Sequence, residues 1–244
     1  MPAAVEEARR LLAASRRVAV FTGAGMSRDS GLRTFRGEDG YWRQYRAQDL
    51  ATIEALTSDP VLVWEWFRER LAARRGVVPH AGYSSLVALE RRIGGMTVIT
   101  QNIDGLHRES GSADVIELHG SILTASCTRE RIRHFPLTDD LLSDLPPRCP
   151  CGALLRPDVV LFGEALPGQE LSRAFEVARR CDLMIVVGSS LVVQPAASVP
   201  FAALSSGAAI IEINTEATDL SGVAGVTSIR GTAAGVLPEV IDRK

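Results

Sequence analysis

Short runs of β-branched and other apolar residues alternate along this chain with longer segments of helical periodicity. Four of the runs, at 18–22, 96–100, 183–187 and 209–213, are apolar on both faces, as strands buried inside a parallel sheet are. Two shorter runs lie at 115–118 and 159–162, and helical patterns lie at about 3–15, 60–75, 80–92, 168–180 and 196–206. Strands that alternate with helices in this way predict an α/β fold with a doubly wound parallel sheet and right-handed crossovers.

Two stretches interrupt this alternation. Residues 31–77 are helical and rich in aromatic side chains, and residues 123–155 are polar, contain prolines and hold three of the four cysteines. We interpret both stretches as parts of one small insert domain, which lies over a Rossmann-like domain formed by residues 1–30, 78–122 and 156–244. Ligands bind to such sheets beyond the carboxyl ends of the strands, so the residues that follow each strand are the candidates for chemistry.

Composition excludes several classes of protein. Apolar residues make up 46% and charged residues 23% of the 244 residues, which is ordinary for a globular protein and argues against extended disorder. The formal net charge of −2 gives no basic field, so we expect no nucleic-acid partner and no membrane partner. No apolar run approaches the roughly 20 residues of a membrane span, and the first helical segment lacks the features of an export or transit peptide. We expect a cytoplasmic protein, and we expect it to be a monomer.

The first strand runs directly into a glycine-containing turn, Thr22-Gly-Ala-Gly-Met-Ser27. Glycines allow the chain to turn sharply and to bring backbone N–H groups close to an anion such as a phosphate. The spacing is not the G-x-G-x-x-G of dinucleotide-binding folds. The turn alone therefore leaves two interpretations open, a phosphate site and a tight strand-to-helix connection without a ligand.

The continuation of this turn, GAGMSRDSGLRTFRG from Gly23 to Gly37, resembles the sirtuin pattern GAGxSxxSGxxxFRG. Five further blocks are similar to sirtuin blocks in the same order: TQNIDGLH from Thr100, ELHGS from Glu117, PDVVLFGE from Pro157, VGSSL from Val187 and INT from Ile213. The resemblance covers nearly the whole chain. It implies an NAD-dependent protein deacylase, an enzyme that consumes NAD to remove acyl groups from lysine side chains of proteins or peptides.

The resemblance also implies where NAD binds. Residues that follow four of the predicted strands, together with Ala233, would contact the pyrophosphate, the nicotinamide ribose with the carboxamide, and the rest of the nucleotide. For the pyrophosphate, they are Gly23, Ala24, Gly25, Ser27 and Arg36, and Phe35 would cover the nicotinamide ribose. For the nicotinamide side, they are Gln101, Asn102, Ile103 and Asp104; for the remaining nucleotide, Gly188, Ser189, Ser190, Asn214, Thr215, Glu216 and Ala233. Taken alone, Phe35 also suits a packed core, and Asn102 or Asp104 also suits an Asx-type turn.

His119 is the candidate catalytic base, and Asn102 is the second candidate catalytic residue that the resemblance implies. An imidazole titrates near neutral pH and accepts a proton from a ribose hydroxyl, whereas a lone histidine at a strand end is usually a satisfied polar residue. By resemblance, the acyl-amide oxygen attacks the ribose C1′ and nicotinamide leaves. His119 then assists the ribose 2′-hydroxyl, through the 3′-hydroxyl, in attacking the imidate carbon, and water completes the reaction to give free lysine and O-acyl-ADP-ribose. The alternatives are an NAD glycohydrolase or ADP-ribosyltransferase, and a sensor that binds NAD or ADP-ribose without turnover.

The residues expected at the acyl-lysine substrate are Ala51, Phe67, Arg70, Val160 and Phe162. Val160 and Phe162 resemble the walls of the acyl-lysine tunnel, although both also suit a core. Ala51, Phe67 and Arg70 resemble an alanine and a Tyr-x-x-Arg pair of the branch that removes succinyl and malonyl groups, in which the arginine pairs with the acyl carboxylate. Phe67 lacks the tyrosine hydroxyl, so we predict a desuccinylase-like sirtuin with relaxed acyl preference. A packing stripe with a solvated Arg70 is the alternative.

A degenerate zinc-ribbon part completes the expected insert domain. Sirtuins usually bind a structural zinc through two cysteine pairs, and this chain retains Cys149-Pro-Cys151 but has Cys127-Thr-Arg-Glu130 in place of the other pair. Glu130 is a tentative fourth ligand, since zinc accepts carboxylates, although these are harder and less common at structural sites. The interpretations left open are a Cys₃Glu zinc site and a site that binds zinc weakly or not at all.

Overall fold

The structure is a computed structural model that describes residues 2–32, 47–130 and 134–242. Phe35 and Arg36 lie outside the described residues. The helices are α1 Pro2–Ala14, α2 Gly25–Arg28, α3 Ala47–Leu50, α4 Ile53–Ser58, α5 Pro60–Arg74, α6 Ala81–Ile93, α7 Leu106–Glu109, α8 Gly168–Arg180, α9 Ser198–Ser205 and α10 Ala233–Ile241. The strands are β1 Val18–Thr22, β2 Thr97–Thr100, β3 Asp114–Glu117, β4 Gly120–Cys127, β5 His134–Pro136, β6 Leu155–Val159, β7 Leu183–Val187, β8 Ala209–Asn214 and β9 Val226–Arg230. Within the described ranges, no helix combines the length and the apolar character needed to cross a membrane.

Six parallel strands form the large sheet in the order β3-β2-β1-β7-β8-β9. The chain builds outward from β1 to β3, returns to β7 on the other side of β1, and builds outward again. This is the strand order of Rossmann folds, and the connections after β1 and β7 therefore leave on opposite sides and open a crevice between them. The predicted doubly wound parallel sheet is confirmed.

The central strands are buried on both faces because helices cover both sides of the sheet. Along β1, Val18 and Val20 belong to one hydrophobic cluster with α1, α6 and α10, while Ala19 and Phe21 belong to a second cluster with α8 and α9. Successive side chains of a strand point to opposite faces, so one apolar run supplies both cores. This arrangement places the polar strand ends, rather than the strands, in contact with the site.

A second, antiparallel sheet has the order β5-β4-β6 and packs against α4 and α5. Asp59 caps the N-terminus of α5 by accepting a bond from the Leu62 N–H at 3.0 Å, and Pro60 occupies the first turn, as helix starts favour. The Trp64 indole then donates to the Leu155 carbonyl at 3.0 Å and joins α5 to β6. The two interruptions of the α/β pattern thus share a third hydrophobic cluster, while the exact residue boundaries of the two domains stay a prediction.

The predicted element map was wrong or incomplete in several places. The apolar run 159–162 was predicted as a strand, but the strand is Leu155–Val159, and beyond it Phe162 forms an isolated bridge with Thr52. The edge strand β9 was missed, because its first residues are half-buried and include Thr227 and Ser228, so the run has no continuous apolar signal. Helix α10, which follows β9, was missed with it.

Candidate active site

A cavity of about 730 Å³ opens at the carboxyl ends of the parallel strands, at the crevice between β1 and β7. The strand-end turns form one side of it, and α5 with the segment after β6 forms the other. Eighteen of the predicted site residues border this cavity: Gly23, Ala24, Gly25, Ala51, Phe67, Gln101, Asn102, Ile103, His119, Val160, Phe162, Gly188, Ser189, Ser190, Asn214, Thr215, Glu216 and Ala233. The tertiary structure therefore brings residues from most of the chain to one cavity, while their individual roles stay predictions.

The floor of the cavity is a close backbone contact between the turns after β1 and β7. The Gly25 N–H donates to the Gly188 carbonyl at 2.8 Å, and the Gly23 N–H donates to the Val187 carbonyl at 3.0 Å. A Cβ atom on Gly188 would lie 2.4 Å from the backbone of Gly25 and Met26, and Gly188 has a φ of +60°. Glycine is required here on both counts, because a side chain would push the turns apart and strain the backbone.

A buried hydroxyl links the first two strand-end turns beneath this floor. The Ser27 hydroxyl donates to Asp104 Oδ2 at 2.6 Å and accepts from Asn102 Nδ2 at 3.0 Å. Its single proton is thus used, so the Tyr83 hydroxyl, 3.0 Å away, is the donor of that pair. Burial raises the pKa of Asp104, and its bonds from Ser27 and the Leu106 N–H act against that rise. Ser27 and Asp104 hold the nucleotide-side turns together rather than border the cavity.

A buried histidine, His107, lies below the ends of β1 and β2. The Thr22 and Thr100 hydroxyls are 2.8 Å apart, and Thr22 Oγ1 lies 3.0 Å from His107 Nε2. Complete burial lowers the pKa of His107 to about 3, so this imidazole is neutral at physiological pH. Asn102 joins the same layer, since its N–H donates to Thr100 Oγ1 at 3.0 Å and its amide donates to the Gly23 carbonyl at 2.9 Å. The segment that begins at Gln101 therefore stands on a fixed polar base.

His119 lies between β3 and β4 and borders the cavity. Its Nδ1 lies 2.8 Å from the Gln101 carbonyl oxygen, which only accepts, so Nδ1 carries the proton and Nε2 is the basic nitrogen of the neutral ring. Burial lowers the pKa of His119, and the bond to the Gln101 carbonyl opposes that shift. The geometry fixes the ring and keeps it neutral, which are the properties a general base needs.

The far end of the cavity is organised by a buried carboxylate that sequence analysis did not single out. Glu212 on β8 accepts from Ser221 at 2.8 Å, from Ser228 at 2.5 Å and from Thr218. These bonds hold the loop that carries Thr215 and Glu216, and the Asn214 amide donates to the Ser189 carbonyl at 2.8 Å. Gly231 and Thr232, which also border the cavity, were missed because they follow the unrecognised strand β9.

The opposite end of the cavity has an aromatic wall. Phe67 is fully buried and meets Trp66 edge to face, with ring centroids 4.6 Å apart, and both residues border the cavity. Trp66 was missed as a site residue, although it precedes the predicted Phe67. The Arg70 guanidinium carbon lies 4.7 Å from the centroid of the Trp66 ring, and Arg70 does not border the cavity. In this conformation Arg70 stacks on the wall, so direct contact with an acyl carboxylate would require its side chain to turn.

The predicted metal ligands Cys127, Cys149 and Cys151 converge in the small sheet, with their sulfur atoms all within 4.8 Å of one another. Three soft thiols at this spacing fit three of the four positions of a tetrahedral zinc site. Within the described residues the group contains no carboxylate. Glu130 contributes its backbone N–H to Cys127 Sγ at 3.4 Å, and Cys181 lies apart, at the end of α8. The thiols fit zinc, but a fourth protein ligand is not among the described members of this group.

Comparison with known proteins extends these findings. Residues 23–195 match the model of the Sir2 family. The chain is 47% identical over 241 residues to an NAD-dependent protein deacylase of Pyrococcus furiosus, covering 97% of this chain and 96% of that protein.

Two solved structures are similar over nearly the whole chain. One is a Sir2 homologue in complex with NAD, with a TM-score of 0.90, 41% identity and coverage of 97% of this chain and 92% of that one. The other is a Sir2 protein with a deacetylated p53 peptide and 3′-O-acetyl-ADP-ribose, with a TM-score of 0.89, 33% identity and coverage of 98% and 97%. The match in family, sequence and structure shows that this chain belongs to the Sir2 family.

Proposed function

We propose that this protein is an NAD-dependent protein-lysine deacylase that releases nicotinamide, O-acyl-ADP-ribose and free lysine. The observation that carries the proposal is the position of His119. Its basic Nε2 belongs to a fixed, neutral ring in a cavity that joins a glycine floor to an aromatic wall. A related Sir2 protein has been solved with a deacetylated peptide and an O-acetyl-ADP-ribose, which are products of this reaction.

NAD would lie across the crevice, as dinucleotides do on sheets of this strand order. The turns of Gly25 and Gly188 lie so close that a Cβ on either glycine would collide with the backbone of the other turn. Their backbone would therefore approach the pyrophosphate as one glycine floor. The loop held by Glu212 would receive the adenosine ribose, and the segment 101–104 would receive the nicotinamide ribose and the carboxamide. The chemistry supplied by NAD itself is the departure of nicotinamide from the ribose C1′.

His119 would act on the ribose hydroxyls. Because Nδ1–H is held by the Gln101 carbonyl at 2.8 Å, Nε2 is the nitrogen available to take a proton. Gln101 is fixed in turn, since its side-chain amide donates to Ser189 Oγ at 2.7 Å. The base and the nucleotide floor therefore form one connected unit.

The acyl-lysine peptide would enter along the exposed edge of the cavity. Phe162, Val192 and Val193 expose 44%, 56% and 40% of their surface, and exposed apolar side chains that are grouped together mark binding surfaces. We propose that the segments 163–164 and 191–193 clamp the peptide backbone as an added strand, and that Val160 and Phe162 line the path of the lysine stem.

The direct test is mass spectrometry of the products formed from NAD and a panel of acyl-lysine peptides. The proposal requires that nicotinamide, O-acyl-ADP-ribose and free lysine peptide appear in equal amounts. Nicotinamide release at the same rate without peptide would instead show an NAD glycohydrolase, and ADP-ribose attached to protein would show a transferase. Binding of ADP-ribose with no turnover of any peptide would show a sensor.

We further propose that acetyl and succinyl groups are both accepted, with Arg70 as the residue that favours succinyl. Arg70→Met should lower kcat/KM for a succinyl peptide by about tenfold and leave the acetyl peptide nearly unchanged, because acetyl has no charge to pair. The expected effect is smaller than for a pre-formed buried ion pair, since the guanidinium must first leave the Trp66 ring, a contact worth roughly 0.5–2 kcal/mol.

The matched control for Arg70 is Arg68→Met on the exposed face of the same helix, which should change neither peptide. Phe67→Tyr should shift the succinyl-to-acetyl ratio of kcat/KM upward by adding one hydroxyl donor at the wall. Equal losses on both peptides in Arg70→Met would show that Arg70 only supports Trp66, and the desuccinylase-like assignment would then be wrong.

The three-cysteine group would hold a structural zinc weakly, because tight structural sites in proteins use four protein ligands. We expect the purified protein to lose its zinc to a chelator. Glu130→Cys should convert the group to a Cys₄ site that retains about one zinc per chain, since the Glu130 N–H already approaches Cys127 Sγ at 3.4 Å. Elemental analysis before and after chelation measures both.

The control is Glu130→Ser, which has nearly the size of cysteine but no thiol and should lose zinc like the wild type. One zinc per chain that survives chelation in the wild type and in Glu130→Ser would contradict the weak-site proposal. Retention in the wild type alone would identify Glu130 as the fourth ligand.

A further inference from the structure

Arg74, the last residue of α5, is a buried arginine whose side-chain hydrogen bonds, among the described residues, all go to groups outside its own helix. The residue is 8% exposed. Its Nε donates to the Asp104 carbonyl at 2.6 Å, its Nη1 donates to the Val77 carbonyl at 3.3 Å, and its Nη2 forms an ion pair with Glu109. A guanidinium serves three partners at once because its donors form a rigid planar fork. No feature of the sequence distinguished Arg74 from the other arginines of the helix.

The bond to Asp104 matters because of where that carbonyl lies. Each residue of the segment 101–104 is anchored by a different group. The Gln101 N–H donates to the Thr22 carbonyl at 2.9 Å, and the Ile103 carbonyl accepts from the Ile122 N–H at 2.9 Å. Asn102 is held by its side chain, as described above. The backbone at Asp104 is held by Arg74, so this contact sets the direction of the peptide that follows the segment.

The same residue connects the segment to the acyl end of the cavity. Helix α5 also carries Trp66 and Phe67, which form the aromatic wall. A shift of α5 would therefore move the wall and, through Arg74, the segment 101–104 together. Displacements of about 1 Å in such contacts can cost up to 10²-fold in rate.

We infer that Arg74 is a positioning residue that fixes the segment 101–104 for nicotinamide and couples it to the acyl wall. This inference rests on the proposed function, because the proposed function places the nicotinamide at the segment 101–104. Arg74 itself does not border the cavity, so it acts through Asp104 and Ile103 rather than by touching substrate.

Arg74→Met should raise the inhibition constant of nicotinamide and lower kcat, each by about tenfold, the effect expected from losing a charge-assisted bond. The affinity for ADP-ribose should stay within about twofold. ADP-ribose lacks the nicotinamide group, and a substitution that affects one site changes the binding free energy at an independent site very little. Arg74→Lys should recover part of the nicotinamide effect, since an ammonium reaches the Asp104 carbonyl, but its single nitrogen cannot span the positions that three guanidinium nitrogens reach. Kinetics with nicotinamide and calorimetry with ADP-ribose measure the two quantities.

The matched control is Arg75→Met, because Arg75 is the next residue, is exposed, and pairs with Asp139 on the surface. It should leave both constants unchanged. Equal weakening of nicotinamide and ADP-ribose in Arg74→Met, or an unchanged nicotinamide constant, would overturn the inference. If Arg74→Met does not fold, Arg74→Lys carries the same test, and wild-type constants in Arg74→Lys would likewise overturn it. A wild-type protein without NAD-dependent deacylation would overturn the proposed function instead, which separates the two failures.

Discussion

Replacing His119 with alanine should lower kcat for deacylation by a factor of roughly 10² or more, since general base catalysis typically contributes 10²–10⁴-fold. The ring is held by its Nδ1–H bond to the Gln101 carbonyl at 2.8 Å. Removing the imidazole therefore deletes the basic nitrogen and breaks this one described hydrogen bond. ADP-ribose affinity should remain within about twofold, because the glycine floor is a separate set of contacts. Steady-state kinetics and calorimetry measure these two results.

The matched control is His134→Ala, because His134 lies on β5 of the small sheet and does not border the cavity. It should keep wild-type turnover, and near wild-type turnover in His119→Ala would remove His119 from the mechanism.

The pH profile offers a second check. The base must be neutral, and burial lowers the pKa of His119, so kcat/KM should fall on the acid side only below the ordinary histidine value of about 6.5.

Replacing Gly188 with alanine should destabilise the fold and weaken nucleotide binding together. The added Cβ would lie 2.4 Å from the backbone of Gly25 and Met26, and the φ of +60° strains any residue with a side chain. Overpacking typically costs about 1–3 kcal/mol and the left-handed conformation about 1–2 kcal/mol, so we expect a loss of roughly 2–5 kcal/mol in unfolding free energy. The parted turns should also lower ADP-ribose affinity by at least about tenfold, equivalent to 1.4 kcal/mol. Urea unfolding and calorimetry test both effects.

Gly207→Ala separates strain from steric contact. Gly207 also has a positive φ, of +91°, but a Cβ there would meet nothing within 4 Å. This variant should lose only the conformational part, about 1–2 kcal/mol, and should bind ADP-ribose like the wild type. If both variants lost the same stability and kept the same affinity, the close contact of the two turns would have no role in binding.

The residues of the cavity were predicted with unequal success, and the reasons are physical. Segments at strand ends, such as the one from Gln101 to Asp104, stood out because polar side chains directly after a buried strand have no packing role. Trp66 and Glu212 gave no such signal. In the sequence, an aromatic residue in a helix is typical of core packing, and a carboxylate in a strand is typical of an exposed position. Arg70 carried the right residue type, yet its guanidinium stacks on Trp66.

The predicted elements show the same division. Strands β1, β2, β7 and β8 were found because continuous apolar runs are rare outside buried parallel strands. Edge strand β9 and strands β4 and β5 of the small sheet were not found, because polar residues such as Ser126, Thr227 and Ser228 interrupt their apolar pattern.

The sequence by itself determined the parallel sheet, the turn glycines, the three-cysteine group and the family, because apolar periodicity and local motifs are properties of neighbouring residues. Only the tertiary structure decided which distant groups meet. It joined Gly25 to Gly188 across the crevice, gave His119 its tautomer through the Gln101 carbonyl, and brought Arg74 to Asp104. These contacts depend on the strand order and on the docking of α5. Both arise from burial over the whole chain, so no local sequence pattern at the contacting residues indicates them.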